Sequence, residues 1–410
     1  MTNPLYDPFA VLQKVYGGGA YLKQALNDTP IEEAHRARTA KVCYGVLEND
    51  IYLDFCIKSF APKSPKLPVR ILLKVALYFL LFLGKARYMV TDSAVSLIRK
   101  LGKGGASGFV NAFLRNFDAE KLILPADKLS RLSVQYSFPP FAVSRLAEEY
   151  GEEAEEIMRP RPARTFVRFA GQPAQKYLDL PHEDTPFSGL YAYPNFRRDA
   201  GYDRGEYTFQ SVGSVAVCAA VEPCGELLDA CAAPGGKSVL LAGKCGRVTA
   251  FELHEHRAKL IESYASRMGA ENISVVCRDS SVHDPAYDGK FDAVLADAPC
   301  SGYGVVGENP DIKLLRREAD LSSLCKTQRA ILSACAPYVR AGGCLYYSTC
   351  SVFGEENDGT VSAFLGQHPD FAAEEIASPL GHERTRFGLQ FLPHLSMGAG
   401  FYVCKMRKKA

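Results

Sequence analysis

The fold class can be inferred from one segment, Leu227-Leu228-Asp229-Ala230-Cys231-Ala232-Ala233-Pro234-Gly235-Gly236-Lys237-Ser238. A short apolar run predicts a β-strand, and the glycine turn after it opens a helix. The turn lacks the G-x-G-x-x-G pattern of dinucleotide-binding folds, and Cys231 stands where a phosphate-binding G-x-x-x-x-G-K-[ST] loop has glycine. Taken alone, these residues leave a ligand-binding turn and an ordinary tight turn with a solvated lysine equally open.

The rest of the C-terminal half continues the rhythm of strand, turn and helix. Helical stretches or loops separate the first four β-rich runs, and a longer helix over 318–338 precedes the fifth. This alternation predicts an α/β fold with a doubly wound, mainly parallel sheet, in which ligands bind at the carboxyl ends of the strands. The β-rich runs are 226–230, 247–253, 273–279, 291–297, 343–349, 388–393 and 400–406.

The N-terminal part has a different pattern. Over residues 1–125 apolar residues recur at helical spacing, which predicts an all-α bundle of five to seven helices. The most apolar run, 75–84, is about 10 residues long, whereas a transmembrane helix needs ~20, so we expect a buried helix and no membrane span. Residues 126–200 combine a helix (140–158), a strand (165–169) and a Pro-rich tract, which we interpret as a linker and small α+β insert.

The distribution of charge favours a polyanionic partner for the N-terminal part. The 410 residues include 48 Lys and Arg against 46 Asp and Glu, but residues 1–150 hold 20 against 13, which leaves 28 against 33 for the remainder. A basic front half of this kind is typical of proteins that meet nucleic acid. The 47% hydrophobic content excludes a mainly disordered or fibrous chain.

The cysteines indicate a reducing compartment. There are 13 of them, without a C-x-x-C pair, and residues 1–7 show neither the basic nor the apolar region of a secretory signal. We therefore expect a cytoplasmic protein with free thiols. A zinc site needs four close ligands and usually a short chelating pair, and His254 and His256 do not form one, so no metal is expected.

Four acids follow successive strands. Glu252 lies 16 residues after Gly236, a spacing that suits ribose hydroxyls, and Asp279 could accept a hydrogen bond from an adenine amino group. One such carboxylate is usually a helix cap. Together with Asp229 and Asp297, however, they would repel phosphates and favour a cationic, hydroxyl-rich ligand. The pattern points to S-adenosylmethionine and makes a nucleotide hydrolase the least favoured interpretation.

Two thiols follow the fourth and fifth strands, Cys300 within 297–302 and Cys350 within 348–351. Because adjacent strand ends lie about 5 Å apart, both sulfurs and Asp297 could share one pocket. A thiolate that adds to C6 of a pyrimidine makes C5 nucleophilic, and a nearby carboxyl can assist at N3. Free cysteines are more often small buried hydrophobes, an interpretation we apply to Cys43, Cys56, Cys218, Cys245, Cys277, Cys325, Cys335, Cys344 and Cys404.

With these motifs the sequence resembles the Nol–Nop–Sun family of RNA cytosine-5 methyltransferases, and most of all its bacterial 16S ribosomal RNA members with a NusB-like N-terminal domain. The motifs fall in family order and cover nearly the whole chain. In the C-terminal half they are 231–237, 297–302, 310–313, 349–351, 355–357 and 400–402, and in the N-terminal part 44–47 and 109–115.

The resemblance implies a NusB-like RNA-binding domain over 1–125, a linker and insert over 126–200, and a Rossmann-like S-adenosylmethionine-dependent methyltransferase domain over 201–410. Cys350 would add to C6, and Cys300 would help to release the product by aiding proton removal from C5. Asp297 would contact the cytosine edge and Lys237 would orient the site. The implied cofactor residues are Cys231, Ala232, Ala233, Pro234, Gly235, Gly236, Lys237, Glu252, Asp279 and Asp297. The implied partner is small-subunit ribosomal RNA, bound by a monomer.

The sequence also departs from the family pattern. The family commonly has Gln-Asp where Gln210-Ser211 stands, often Asp at position 252, and a His-Pro pair where Phe138-Pro139 stands. In DNA cytosine-5 methyltransferases the nucleophile belongs to a Pro-Cys motif, which here would be Cys300. Arg316 and Arg317 could meet the substrate backbone. Candidates for phosphate contacts in the helical part are Lys63, Lys66, Arg70, Lys85, Arg87, Arg99, Lys100, Lys103 and Arg115.

Two alternatives stay open beside this interpretation. A methyltransferase acting on protein or small molecules would not need two thiols after neighbouring strands. An RNA-binding, antitermination-like regulatory factor with a vestigial methyltransferase domain would need neither Cys300 nor Cys350, so the presence of both disfavours it.

Overall fold

Two compact units make up the fold in the computed structural model, which describes residues 3–61 and 63–410; Met1, Thr2 and Pro62 lie outside the described residues. The first unit extends to Pro160 and includes Val306–Arg317, and the second consists of Arg161–Val305 and Glu318–Ala410. Within the described ranges, no helix combines the length and the apolar character that crossing a membrane requires.

The first unit is helical, as the sequence predicted. A 3-10 turn over Gly151–Glu153 interrupts the single helix expected over 140–158. Two further 3-10 turns cover Gly104–Ala106 and Ala119–Lys121. The α-helices are α1 (Tyr6–Gly18), α2 (Leu22–Asn27), α3 (Glu33–Glu48), α4 (Asp50–Phe60), α5 (Leu67–Leu81), α6 (Arg87–Lys100), α7 (Ser107–Asn116), α8 (Lys128–Tyr136), α9 (Pro140–Tyr150) and α10 (Ala154–Met158).

Helix α5 contains the apolar run seen in the sequence and forms the centre of this unit's core, together with residues of α1, α3, α4 and α6. Lys74 is buried within α5 and forms an ion pair with Asp50 and another, at 3.0 Å, with Asp54. The Tyr16 hydroxyl also donates to Asp50. Carboxylates compensate the charge of this buried lysine, so α4 and α5 are linked by charge as well as by apolar packing.

The segment Val306–Arg317 is part of the helical unit although it lies far along the chain. Asp311 Oδ2 accepts a hydrogen bond from the Leu22 amide at 2.9 Å, where α2 begins. A carboxylate is favourable there because the first amides of a helix lack intrahelical partners. Lys313 is buried, and its Nζ donates to the carbonyl oxygens of Glu48 at 2.7 Å and Tyr136 at 3.4 Å. Residues 310–313, one of the motifs noted in the sequence, therefore attach Val306–Arg317 to the helices of the first unit.

The chain after Pro160 contains the strands and the remaining helices. In chain order they are β1 (Thr165–Phe169), α11 (Gln175–Leu178), β2 (Glu183–Asp184), β3 (Leu190–Tyr193), α12 (Ala200–Asp203), β4 (Tyr207–Phe209), α13 (Val212–Ala220), β5 (Glu226–Asp229), α14 (Gly236–Ala242), β6 (Arg247–Glu252), α15 (Glu255–Arg267), β7 (Ile273–Cys277), β8 (Phe291–Asp297), α16 (Ile312–Leu315, in the helical unit), α17 (Glu318–Cys335), β9 (Val339–Thr349), α18 (Asp358–Gln367), β10 (Phe371–Glu374), β11 (Glu383–Arg384), β12 (Gly388–Phe391) and β13 (Phe401–Lys408). Three 3-10 turns cover Pro285–Tyr287, Tyr303–Val305 and Ala336–Tyr338.

These strands form two sheets. The smaller has the order β2-β3-β1-β4 and is antiparallel, with an aromatic core. In the larger, the order is β11-β12-β13-β9-β8-β5-β6-β7, and β10 pairs with β13. The strands from β9 to β7 run parallel, as predicted, whereas β13 and the strands beyond it are antiparallel. The predicted α/β fold is confirmed, with a mixed sheet.

Lys313 makes the stability of the helical unit pH-dependent. Burial lowers the pKa of Lys313 to about 8, although Glu48 and Asp50 oppose the shift. The pKa of an unfolded lysine is about 10.4. Between these values the unfolded chain binds a proton that the folded chain lacks, so the free energy of unfolding rises with pH.

We expect the free energy of unfolding of the wild type, relative to Lys313→Met, to rise by about 2 kcal/mol from pH 7.5 to 9.5. Urea denaturation followed by far-ultraviolet circular dichroism at both pH values measures it. Lys58→Met, which changes an exposed lysine of α4, is the control and should follow the wild type. Identical pH dependence in wild type and Lys313→Met would contradict the prediction.

Candidate active site

Two cysteine turns leave the large sheet side by side. Strands β8 and β9 are parallel and pair Asp297 with Ser348, and the Ala298 amide donates to the Ser348 carbonyl at 2.9 Å. Each strand then enters a short turn that carries a cysteine. The Sγ atoms of Cys300 and Cys350 are 3.0 Å apart. The convergence of the two thiols expected from the sequence is therefore found.

The two thiols differ in environment. Cys300 is buried, whereas Cys350 is partly exposed. The Cys350 amide donates to Cys300 Sγ at 3.3 Å. The hydrogen bond with the Cys350 side chain, and to a smaller extent burial, raise the pKa of Cys300 well above its ordinary value. Cys300 therefore holds its proton at neutral pH, and Cys350 is the more exposed of the two residues.

A third segment closes this corner of the sheet. The Gly304 amide donates to the Cys350 carbonyl at 3.0 Å, and the Gly400 amide, just before β13, donates to the Gly304 carbonyl at 2.8 Å. A Cβ atom on Gly304 would lie 2.0 Å from the carbonyl oxygen of Gly400, and one on Gly400 would lie 2.4 Å from Gly304 Cα. Only glycine permits this approach, which fixes the end of the Cys300 turn.

Lys237 and Asp297 form an ion pair beside the thiols. Lys237 Nζ lies 2.6 Å from Asp297 Oδ2, and Ser348 Oγ donates to Oδ1 at 2.6 Å. Burial lowers the pKa of Lys237, but the charge and hydrogen bond of Asp297 outweigh it, so the net shift is upward. Lys237 Nζ also lies 5.6 Å from the centre of the Phe401 ring. The site thus presents an ammonium group and a carboxylate together.

The glycine turn connects β5 to α14, as predicted. Gly235 has a φ of +106°, which favours glycine, and its amide donates to the Ala232 carbonyl at 2.7 Å. The Ala232 amide donates to Phe251 of β6 at 3.0 Å. Among the other predicted residues of the turn, Pro234 is exposed, and Cys231, Ala233 and Gly236 are partly buried. Gln210 Nε2 donates to the Gly236 carbonyl at 3.2 Å.

The strand-end acids have distinct environments. Asp229 is buried, accepts a hydrogen bond from Ser238 Oγ at 2.6 Å, and has a pKa raised by burial to about 6. Glu252 is buried and lies 3.2 Å from Arg257 Nη1. Asp279 is exposed, and hydrogen bonds from Ser281 lower its pKa. The acids therefore follow neighbouring strands, but Glu252 already has a cationic partner.

Several residues that contact the side chains of the candidate site were not identified from the sequence. Ser348 is the penultimate residue of β9, directly before the motif at 349–351, so a search for polar residues at strand ends would have found it. Arg257 lies in α15, five residues after Glu252, where such a search does not reach. Gln328, on α17, gives no such signal, although its Nε2 donates to the Pro299 carbonyl, next to Cys300, at 3.0 Å. In the residues that the structure describes, no group of three or more His, Cys, Asp or Glu side chains could hold a metal ion.

Most of the basic residues proposed for phosphate contacts lie on the surface of the helical unit. Arg87 does not act as a free surface charge, because its Nη1 donates to the carbonyls of Leu114 and Phe117 at 2.7 and 2.6 Å. Arg70 is partly buried and lies 3.9 Å from Asp54. The exposed candidates are Lys63, Lys66, Lys85, Arg99, Lys100, Lys103 and Arg115.

Known proteins resemble the chain over almost its whole length. The family described as 16S rRNA methyltransferase RsmB/F matches residues 217–407, and the NusB family matches residues 9–119. The probable ribosomal RNA small subunit methyltransferase B of Bacillus subtilis (strain 168) is 32% identical over 426 residues, with 95% of this chain and 94% of the relative covered. The ribosomal RNA small subunit methyltransferase B of Sodalis glossinidius (strain morsitans) is 31% identical, with 93% and 91% covered.

A solved structure supports the same fold. The crystal structure of PH0851 matches with a TM-score of 0.83 over 99% of both chains, at 23% sequence identity. The family resemblance inferred from the sequence motifs is confirmed by the two family matches and the two ribosomal RNA methyltransferase relatives. Because the Bacillus relative exceeds 30% identity over nearly the full length, the chain belongs to the 16S rRNA methyltransferase RsmB/F family.

Proposed function

We propose that the chain methylates C5 of a cytosine in 16S ribosomal RNA through a covalent adduct on Cys350. The observation that carries the proposal is the 3.0 Å separation of the Cys300 and Cys350 sulfurs beside the Lys237–Asp297 pair. One thiol can activate a pyrimidine ring by forming a covalent bond, and a second thiol beside it can assist the reversal. The names of the relatives support small-subunit ribosomal RNA as the substrate.

The methyl donor of this family is S-adenosylmethionine, and the residues present fit it. Asp229 Oδ1 is buried without a hydrogen-bond partner among the described residues, which suits a cationic ligand at the glycine turn. Residues 231–237, with Glu252, Asp279 and Asp297, would hold the cofactor. When bound, it supplies an electrophilic methyl group.

Lys237 and Asp297 would select cytosine over uracil when Lys237 faces N3 and Asp297 faces the group at C4 of the ring. Side by side they offer an N–H donor and a carboxylate acceptor. Cytosine presents the N3 acceptor next to the N4 amino donor, whereas uracil presents N3–H next to the O4 acceptor. The ammonium group of Lys237 can also stabilise the negative charge that N3 gains as the adduct forms.

Cys350 is the nucleophile in this proposal. Its thiolate forms a bond to C6, and the electron pair of the C5–C6 double bond makes C5 nucleophilic toward the methyl group. Cys350 is partly exposed, whereas Cys300 is buried with a raised pKa, so the accessible sulfur is the one that adds. This assignment agrees with the roles implied by the family motif rather than with the Pro-Cys nucleophile of the DNA enzymes.

Cys300 assists product release. The C6–S bond breaks, Cys350 leaves with its electron pair, and the electrons of the C5–H bond restore the double bond. Cys300 can pass its proton to the departing sulfur, 3.0 Å away, and take the proton from C5, so that it ends as a thiol. A raised pKa suits this exchange, because the thiolate formed in between is a strong base.

The RNA segment that carries the target must be accessible. A cytosine within a duplex cannot reach such a pocket, so we propose a loop or a flipped-out nucleotide. The exposed lysines and arginines of the NusB-like unit support contacts to phosphates, which would make binding weaken with rising salt. The alternative, a regulatory factor without catalysis, is disfavoured by the paired thiols and the Lys237–Asp297 pair.

We expect one cytosine of 16S ribosomal RNA to depend on this protein for protection from bisulfite conversion. Bisulfite sequencing compares cells that carry the gene, cells that lack it, and cells that lack it but express either the wild type or Cys350→Ala. The protected position should convert in the deletion and return only with the wild type. Large-subunit RNA is the control. Identical maps from all strains would refute the assignment of the substrate.

Loss of Cys350 should abolish covalent trapping. Wild type incubated with S-adenosylmethionine and RNA containing 5-fluorocytosine should give a complex that survives denaturing electrophoresis, because fluorine at C5 blocks release. Cys350→Ala should give none and should methylate ordinary RNA at least about a thousandfold more slowly. Cys224→Ala, at a cysteine outside the site, should behave as wild type. Trapping that survives in Cys350→Ala and disappears in Cys300→Ala would reverse the two roles.

Loss of Cys300 should stall release. Cys300→Ala retains the nucleophile, so adduct formation and methyl transfer proceed, whereas removal of the C5 proton slows by about 10²–10⁴-fold. Unmodified RNA should then accumulate as a covalent complex, visible on denaturing gels, and a single turnover should still label it with methyl groups. Rapid turnover by Cys300→Ala without accumulated complex would be inconsistent with this role.

A further inference from the structure

A buried carboxylate connects the two cysteine turns. Glu356 is fully buried between β9 and α18. Its Oε1 accepts hydrogen bonds from the Ser301 amide at 2.8 Å and from Gln328 Nε2 at 3.0 Å, and its Oε2 accepts one from Ser351 Oγ at 2.5 Å. All three partners are uncharged. A buried carboxylate is costly unless its hydrogen bonds are well made, so these contacts hold Glu356 and its partners firmly together.

The contacts of Glu356 fall directly beside both sulfurs. Ser301 follows Cys300 and Ser351 follows Cys350, and the two serine hydroxyls are 3.2 Å apart. We call Glu356, Gln328, Ser301 and Ser351 the Glu356 cluster. One carboxylate thus binds the backbone of the first cysteine turn through one oxygen and a side chain of the second turn through the other.

Gln328 extends the cluster to the other side of Cys300. Its Nε2 also donates to the Pro299 carbonyl at 3.0 Å, and its Oε1 accepts a hydrogen bond from Thr360 Oγ1 at 3.2 Å. The backbone is therefore held immediately before and immediately after Cys300. The paired strands β8 and β9 end at Asp297 and Thr349, so these side-chain contacts take over where the sheet stops.

We propose that Glu356 is a positioning residue that sets the separation of the Cys300 and Cys350 sulfurs. Its effect on turnover rests on the function proposed above, but its effect on the sulfur separation does not. Without the carboxylate, the Ser301 amide and the Ser351 hydroxyl lose their shared partner, and the two turns are held together less firmly, by the remaining hydrogen bonds between them. A residue that only stabilised the fold would leave the sulfur separation of the folded protein unchanged.

Two substitutions separate geometry from charge. Glu356→Gln keeps an oxygen where Ser301 and Gln328 donate, and its NH₂ group faces Ser351 Oγ, which can turn to accept. Glu356→Ala removes all three hydrogen bonds. If the role of Glu356 is to position the two cysteine turns, Glu356→Gln should keep the sulfur separation and the turnover that Glu356→Ala loses. Glu226→Gln, which changes a partly exposed carboxylate at the start of β5, is the control for loss of a negative charge.

The experiment measures how readily the two sulfurs form a disulfide. Diamide takes two hydrogens from a thiol pair and becomes a hydrazine, and mass spectrometry quantifies the linked Cys300–Cys350 peptides. Cys224 and Cys245, whose sulfurs are 3.3 Å apart before β5 and β6, provide an internal reference in the same molecule. We expect Glu356→Ala to lower the ratio of the two disulfide-formation rates by about tenfold, because it removes several buried hydrogen bonds.

Turnover gives the second readout. With RNA as substrate, Glu356→Ala should lower kcat by about tenfold or more while KM changes by less than about threefold, since binding contacts are intact. Glu356→Gln should stay near wild type in both assays. Should Glu356→Ala fail to fold, Ser351→Ala removes the contacts of Ser351 Oγ with Glu356 and Ser301 and should lower the disulfide ratio by about threefold.

The outcomes are distinct. An unchanged disulfide ratio in a folded Glu356→Ala or Ser351→Ala protein overturns the proposal, as does a loss in Glu356→Gln equal to that in Glu356→Ala. A lowered ratio in a protein whose wild type transfers no methyl group to RNA would support the positioning role and refute only the proposed function.

Discussion

The parallel ladder between β8 and β9 determines where the chemistry can take place. It pairs Asp297 with Ser348, so β8 and β9 end at nearly the same position in the sheet. The turns after the two strands therefore bring Cys300 and Cys350 together. A shift of one residue would turn every side chain of one strand to the opposite face of the sheet. The Lys237 ion pair and the approach of Gly400 to Gly304 depend on the same register.

Buried charge is concentrated around this ladder. Lys237 and Asp297 compensate each other, Asp229 has its pKa raised by burial, and Glu356 accepts hydrogen bonds from the uncharged residues Ser301, Gln328 and Ser351. Such groups reduce stability unless their hydrogen bonds are complete, and perturbed pKa values are typical of functional sites. Here they lie at the carboxyl edge of the sheet, where ligands of α/β folds bind.

The sequence predicted the parallel strands because buried strands of this kind read as short apolar runs, and the meeting of the two thiols followed from the adjacency of strands. It did not predict β10, whose four residues include only one that is buried, or the two-residue β11, or the antiparallel sheet around β1. Neither the docking of 306–317 on the helices nor the contact of Gln328 with Pro299 leaves a periodic trace, because both depend on tertiary packing.

The docked segment Val306–Arg317 also has a topological consequence. The chain changes unit three times, after Pro160, Val305 and Arg317. A protease that cut only after Pro160 would leave Asp311 and Lys313 among the helices while their peptide stayed covalently joined to the other fragment. Two halves expressed from separate genes and divided at that point would therefore carry their own means of reassociation, as split reporter proteins do.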